Sequence, residues 1–153
     1  MVEYLIEKYK LQPHPEGGHY RQTYVSSQTV LSPVNKAPRS AVTQIYFLLR
    51  MGEVSRFHKV LHDEIWHHYA GAPLTLHQFD GNTIDTHTIG GKDGEYTAVI
   101  PGGMFQAAES AGEYSLVGCT VAPGFDFADF TFIEDSKTQV SLLNHYPNFQ
   151  RFL

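Results

Sequence analysis

The punctuation of this chain is its strongest constraint. Short runs of apolar, aromatic and β-branched residues recur between turns marked by glycine, proline or asparagine. Such runs read as strands. They fall at 19–24, where His19, Arg21 and Thr23 alternate with Tyr20, Gln22 and Tyr24, and at Ala41–Leu49, whose apolar stretch from Ile45 predicts cover on both faces. Others fall at 73–80 and 83–89, a hairpin around Gly81-Asn82 whose polar residues, His77 and His87 included, are expected to face water. The rest are Tyr96–Ile100, Glu113–Ala122 and 129–133. Only the ends depart from this pattern. Val2, Leu5, Ile6 and Tyr9 recur at helical spacing over about 2–10, stopping before Pro13, and predict a lid on the sheet. The tail over 136–153 predicts a short helix around 138–144 that Pro147 ends, with Phe149 and Phe152 tacking the terminus down. Residues 26–40 lack periodicity and read as a surface connector, with a flap over the site as the alternative.

At 153 residues, with 13% aromatics, 13 glycines and 8 prolines, the chain fits one β-rich domain with many turns. A chain of this size buries about 68–70% of its unfolded surface and needs no staples. Net charge is −5 with no basic block, which argues against nucleic acid as partner. The longest clean apolar run, Ile45–Leu49, is far too short to span a membrane. A single cysteine, Cys119, cannot form an internal disulfide, and the apolar start is interrupted by Glu3 and Glu7, so a cytoplasmic protein is expected. Gly90, Gly91 and Gly94 precede a strand rather than a helix, which removes a phosphate-cradling loop.

Residues 52–71, GEVSRFHKVLHDEIWHHYAG, concentrate the chemistry: four of the nine histidines, the only tryptophan, and the acidic pair Asp63 and Glu64. Strand alternation puts Glu64, Trp66 and His68 on one face and Ile65, His67 and Tyr69 on the other, unless a bulge intervenes. The spacing runs Gly52, five residues, His58, one residue, Val60, three residues, Glu64, six residues, Gly71. That frame resembles the first cupin motif, with Val60 where a second histidine stands. Pro101-Gly102-Gly103 followed by Gln106 resembles the second motif, with glutamine in place of its histidine and Gly94 one residue early.

HPEGG (14–18), Ile45-Tyr46-Phe47-Leu48-Leu49, Asp63-Glu64-Ile65-Trp66-His67 and VAPGFD (121–126) together resemble a small family within the cupin superfamily that carries these signatures. The resemblance covers about residues 5–132. It implies a single all-β domain over 1–153, a cupin or double-stranded β-helix jelly-roll barrel over about 18–133, of two packed antiparallel sheets, forming a homodimer with a small-molecule pocket in each barrel. Spacing alone favours an ordinary turn and strand for HPEGG.

Cupins with three histidines and a glutamate bind a divalent metal. Here only His58 and Glu64 remain of that set, so no cofactor is expected, with a divalent metal on those two residues as the lesser alternative. Without metal, the resemblance extends to deoxysugar nucleotide epimerases, in which a histidine paired with an aspartate removes a proton beside a carbonyl. It would make His58 the general base and Glu64 its catalytic companion. Asp126 or Asp129 would orient His58, although turn and capping roles suit both better. Tyr46 or Tyr114 would return a proton, and Arg21 would neutralise an anionic group. Gln106, Trp66, Glu16 and His68 complete the expected ligand site, and Cys119 reads as a core thiol. Three functions compete: a metal-independent isomerase or epimerase of a small polar or sugar-like compound, a non-catalytic binding or sensing module, and a metal-dependent enzyme.

Overall fold

The computed structural model describes all 153 residues. In chain order the elements are α1 (Val2–Tyr9), β1 (Gln12–Pro13), β2 (His19–Val25), β3 (Thr29–Leu31), β4 (Pro38–Ser40), β5 (Thr43–Arg50), β6 (Val54–Lys59) and β7 (Asp63–Gly71). There follow β8 (Leu74–Phe79), β9 (Ile84–Ile89), β10 (Thr97–Ile100), β11 (Phe105–Ser110), β12 (Tyr114–Ala122), β13 (Thr131–Phe132) and α2 (Ser136–His145), and a 3₁₀ segment over Pro147–Phe152 ends the chain. A six-stranded sheet runs β1-β2-β5-β12-β7-β10 and a five-stranded sheet runs β13-β6-β11-β8-β9, with antiparallel pairing throughout both ladders. They pack face to face as the expected all-β jelly-roll barrel.

The register divides the barrel interior into two zones. On β5, β12 and β7 the inward residues at one end are Thr43, Ile45, Cys119, Val121 and Glu64, which line a cavity. One pleat further along, Phe47, Val117 and Trp66 belong to an apolar core with Leu49, Leu74, Leu76, Ile89, Ile100 and Ala108. The pairings Ile45↔Cys119 and Phe47↔Val117 place this change at one level on β5 and β12, and on β7 it falls one pair nearer the cavity, because Trp66 sits opposite Cys119 and Glu64 opposite Val121. Phe47 and Trp66, edge to face at 6.0 Å, begin the filled zone. Each such fully buried side chain contributes about 1.5–3 kcal/mol of burial.

Two further clusters explain the outer faces. Leu48 points out of the barrel, yet it is buried with Leu5, Leu11 and Leu116 beneath α1. The second apolar face of β5 is therefore covered by the chain's own first helix, and not there by a second subunit. On the opposite sheet Phe57, Phe79 and Ala107 pack outward against Ile133, Leu142 and Phe152 of the C-terminal segment. His77, expected in water, is buried by the same segment, edge on to Phe149 and Phe152 at 4.7 and 5.2 Å. Helix α2 begins two residues earlier than the pattern predicted, because the Asp135 side chain accepts from the Thr138 amide. Residues 26–40 are not a featureless connector: β3 and β4 pair only with each other. Ser32 anchors that hairpin to His62, Oγ to Nε2 at 2.7 Å, and Arg39 forks onto Asp129 at 2.8 and 2.7 Å.

Candidate functional site

The cavity has a volume of about 420 Å³ and lies between the sheets at the β6–β7 end. Its chemistry is assembled by the loop 14–18, which the HPEGG sequence forms. Within that loop the His14 amide donates to the Gly18 carbonyl at 3.0 Å, and the Gly17 amide to the His14 carbonyl at 3.0 Å. The Arg56 amide donates to the Glu16 carbonyl at 2.8 Å and so pins the loop on β6. Gly17 has φ +112°, and a Cβ there would collide with the Val54 carbonyl oxygen, so only glycine lets the loop lie this close to β6.

This fit delivers Glu16 to His58. Glu16 Oε2 lies 2.6 Å from His58 Nε2 and accepts from Ser55 Oγ at 2.9 Å. Both residues are buried. The other ring nitrogen, Nδ1, is 2.7 Å from the Arg56 carbonyl, which can only accept, so Nδ1 carries hydrogen. One proton must then sit between Nε2 and Oε2. Burial pulls the His58 pKa down, but the Glu16 charge and hydrogen bond override it and hold it above its ordinary value. For Glu16, burial pushes up, and the His58 charge and hydrogen bond, with lesser help from His14 and Ser55, bring the pKa below the usual value. The pair is thus imidazolium and carboxylate, with Phe130 stacked on the imidazole at 5.1 Å.

Glu64 differs. Burial pushes its carboxyl pKa up and Glu16 adds to this, while His58 and the Gln106 hydrogen bond offset only part. Gln106 Nε2 donates to Glu64 Oε1 at 2.7 Å, and Trp66 Nε1 donates to Gln106 Oε1 at 2.8 Å. Indole N–H can only donate, so the amide orientation is fixed: its oxygen faces Trp66 and its NH₂ faces Glu64. Beside Glu64, the buried Cys119 thiol is pushed well up by burial and by the two carboxylates.

The remaining polar residue is His14. Its Nδ1 accepts from the Glu16 amide at 3.1 Å, whereas the Glu16 carboxylate is 3.5 Å from the same nitrogen. The amide contact is the shorter, and an amide can only donate, so Nδ1 is unprotonated. Burial lowers the His14 pKa despite Glu16, consistent with a neutral ring.

Of the residues expected at the site, His58 and Glu64 line the cavity, and so does Glu16, as the direct partner of His58. Gln106 and Trp66 stand behind Glu64. Arg21 points outward, with Nη1 3.5 Å from the Tyr9 carbonyl, and Tyr46 packs outside the barrel against Tyr9 and Tyr69. Tyr114 joins it in the cluster under α1. His68 shares the face of Trp66 but lies towards the far end, its Nε2–H donating to the Ala72 carbonyl at 2.9 Å, while His67 stacks outside on Tyr69. Ordinary alternation separates these two, since the bulge in β7 falls after both, at Tyr69 opposite Leu116 and Val117. Asp126 caps a 3₁₀ turn through the Ala128 amide at 2.8 Å, and Asp129 is held by Arg39, so neither orients His58. Sequence reasoning missed His14 and the aromatic wall of Phe125, Phe127 and Phe130. The HPEGG and VAPGFD signatures, which contribute His14 and Phe125, were the available signals.

The cupin metal positions are poorly suited to a cation here. Val60 has no donor atom. Gln106 turns an N–H donor, not its oxygen, towards Glu64. His58 directs no lone pair at the cavity, since Nδ1 carries hydrogen and Nε2 shares a proton with Glu16. The residues do not fit a divalent ion.

Two packed antiparallel sheets with polar groups gathered at one end define a cupin-type barrel with a buried acid–base cluster. Residues 3–133 match the family described as Cupin superfamily (DUF985), and the chain belongs to that family. It is 30% identical over 151 residues to the Uncharacterized protein YML079W of Saccharomyces cerevisiae, covering 87% of this chain and 75% of the relative. Among solved structures it is similar to a hypothetical protein from Leishmania major, with TM-score 0.84 and 30% identity over 97% of this chain and 93% of that one. It is also similar to protein SO0799 from Shewanella oneidensis, with TM-score 0.81 and 36% identity over 96% and 90% of the two chains.

Proposed function

We propose that the barrel binds a small polar compound and moves a proton beside its carbonyl without a metal, as an isomerase or epimerase does. The observation that carries this reading is the pair of carboxyls in one cavity with opposed environments, Glu16 held as carboxylate by His58 and Glu64 biased towards its acid form by burial. Such opposed pairs divide acid and base roles between them. His58 has no free nitrogen for substrate, so the base is Glu16 and His58 positions it.

Glu16 takes the proton from the carbon next to the carbonyl. The C–H electron pair becomes the C=C bond of an enediol, and the carbonyl oxygen takes the proton of Glu64. In isomerisation Glu16 returns its proton to the former carbonyl carbon while Glu64 takes a proton from the hydroxyl on the carbon that lost its hydrogen, whose oxygen becomes the new carbonyl. In epimerisation the enediol turns in the cavity, Glu16 reprotonates the same carbon on its other face, and Glu64 takes back the proton it gave to the carbonyl oxygen. Each proton-transfer group contributes about 10²–10⁴-fold.

The test is deuterium incorporation from D₂O into a panel of small hydroxycarbonyl compounds, followed by NMR. Glu16→Gln is expected to lower exchange by about 10²–10⁴-fold, and Glu64→Leu to lower it comparably. Exchange that survives both substitutions would overturn the assignment. Binding without exchange would favour the sensing module, which the same enclosed cavity supports. We also assign a homodimer, because Ile65, Tyr69 and Val99 remain exposed on the outer face of the six-stranded sheet after α1 has covered Leu48.

A further inference from the structure

We infer that the ligand is an uncharged hydroxycarbonyl compound whose carbonyl oxygen is held by the Nε2–H of His14. This deepens the reading above and rests on it for the position of the reacting carbon. Three observations carry it.

The first is the tautomer. A backbone amide fills the lone pair of Nδ1, so the ring hydrogen is on Nε2. That nitrogen has no hydrogen-bond partner in the protein, although His14 lines the cavity. It is a donor waiting for an acceptor.

The second is rigidity. His14 is packed at 4.5 Å from Tyr20, 5.8 Å from Phe47, 6.1 Å from Phe127 and 6.2 Å from Phe130. Aromatic walls on several sides leave the ring little freedom, so the donor is preorganised rather than recruited. A neutral imidazole N–H in this position polarises a carbonyl and stabilises the enediol oxygen that forms from it, while Glu16, two residues away on the same loop, faces the adjacent carbon.

The third is charge. Glu16, Glu64 and Asp126 line the cavity, and no lysine or arginine does. Arg39, in the neighbouring groove, is committed to Asp129 through Nε and Nη2 and to the Pro38 carbonyl through Nη1. A phosphate or carboxylate on the ligand would meet carboxyls with no cation free to receive it. Gln12 and Gln22, whose side chains are unpartnered within the chain, offer amides suited to hydroxyl groups instead. This charge pattern separates the site from one built for nucleotide-linked sugars.

The experiment titrates the whole protein by calorimetry with dihydroxyacetone, erythrulose, xylulose and fructose, and with dihydroxyacetone phosphate and fructose 6-phosphate. At least one uncharged ketose is expected to bind, and its phosphorylated counterpart to bind about tenfold or more weakly. His14→Phe is expected to weaken the bound ketose by about tenfold, and His14→Gln, which restores an N–H near the same place, to recover most of that loss. If His14→Phe does not fold, His14→Gln and the ¹⁵N shift of wild-type His14 Nε2 on titration decide the matter, because a packing role would leave that shift unmoved. The inference is overturned if no uncharged probe binds, if phosphorylated probes bind as tightly, or if neither His14 measurement responds. Binding of a ketose through His14 with no deuterium exchange leaves this inference standing and removes the proton-transfer reading. Exchange confined to phosphorylated probes does the reverse.

Discussion

Gln106→Leu is the substitution that most directly tests how the cavity floor is built. Gln106 is buried and bridges two other buried groups, accepting from Trp66 Nε1 at 2.8 Å and donating to Glu64 Oε1 at 2.7 Å. Leucine fills similar space but answers neither group. Each orphaned partner costs about 1–3 kcal/mol, and relief from burying the amide itself offsets about 1–2 kcal/mol, leaving a net destabilisation of about 2 kcal/mol. The loss should depend on pH with a definite sign. The Gln106 bond holds the Glu64 pKa down against burial, so without it the folded-state pKa rises further above the unfolded value. The native variant then keeps a proton over a wider range, and its stability falls more steeply as pH rises above the ordinary carboxyl range. Urea unfolding at pH 5 and pH 8 measures both effects, with the larger loss expected at pH 8. Adding Trp66→Phe removes the orphaned indole donor, so the double variant should lose about 1 kcal/mol less than the sum of the single losses. A loss below about 0.5 kcal/mol, a loss equal at both pH values, or strict additivity would refute the bridging account.

His58→Ala should cost most stability between about pH 4.5 and 6.5. Below its unfolded pKa of 6.5 the His58 contribution is fully present and it fades as pH rises through the raised folded pKa; the Glu16 contribution is present above 4.5 and fades as pH falls through its depressed pKa. Unfolding curves at pH 3, 5.5 and 9 for wild type and variant check this. Gly17→Ala should destabilise by at least about 1–3 kcal/mol through backbone strain and displace Glu16, so calorimetric ligand binding should weaken with it. Elemental analysis of untagged protein should find well under one equivalent of transition metal, and a stoichiometric ion lost in a His58→Ala variant would contradict the fit argument. Light scattering at micromolar concentration should report a dimer in wild type and a monomer in an Ile65→Arg/Val99→Asp variant; an unchanged mass would move the interface elsewhere.

The barrel was legible because its signals are local. Strand runs at 19–24, 73–80, 83–89 and 113–122 lie within one or two residues of the observed strands, and alternation along β7 separates Glu64 and Trp66 from Ile65. What escaped depends on which covering layer each residue meets. Leu48 looks like a subunit contact until α1 is laid over it, and His77 looks solvated until the C-terminal phenylalanines close on it. The resemblance to epimerases placed Arg21 and Tyr46 near a ligand, but the pleat turns both outwards. The partner of His58 was the hardest to see, since Glu16 is forty-two residues away and reaches it only through a glycine turn that packs on β6.

That distant partner explains why the cupin frame survives here with two of its histidines gone. A metal site asks each polar side chain to aim a lone pair at one point. In this barrel the same positions are tied into two chains instead, Ser55–Glu16–His58–Arg56 carbonyl and Trp66–Gln106–Glu64. Each member satisfies its neighbour, and only one oxygen of each carboxyl is taken up by these chains. A histidine at Gln106 would bring one donor and one acceptor held by a ring, but it could not place both in line with Trp66 and Glu64 as an amide does. Valine at position 60 brings no further imidazole to the Glu16–His58 ion pair. The substitutions are thus coupled: glutamine suits this frame because Trp66 needs an acceptor and Glu64 a donor, and the arriving loop 14–18 supplies the carboxylate that His58 would otherwise lack.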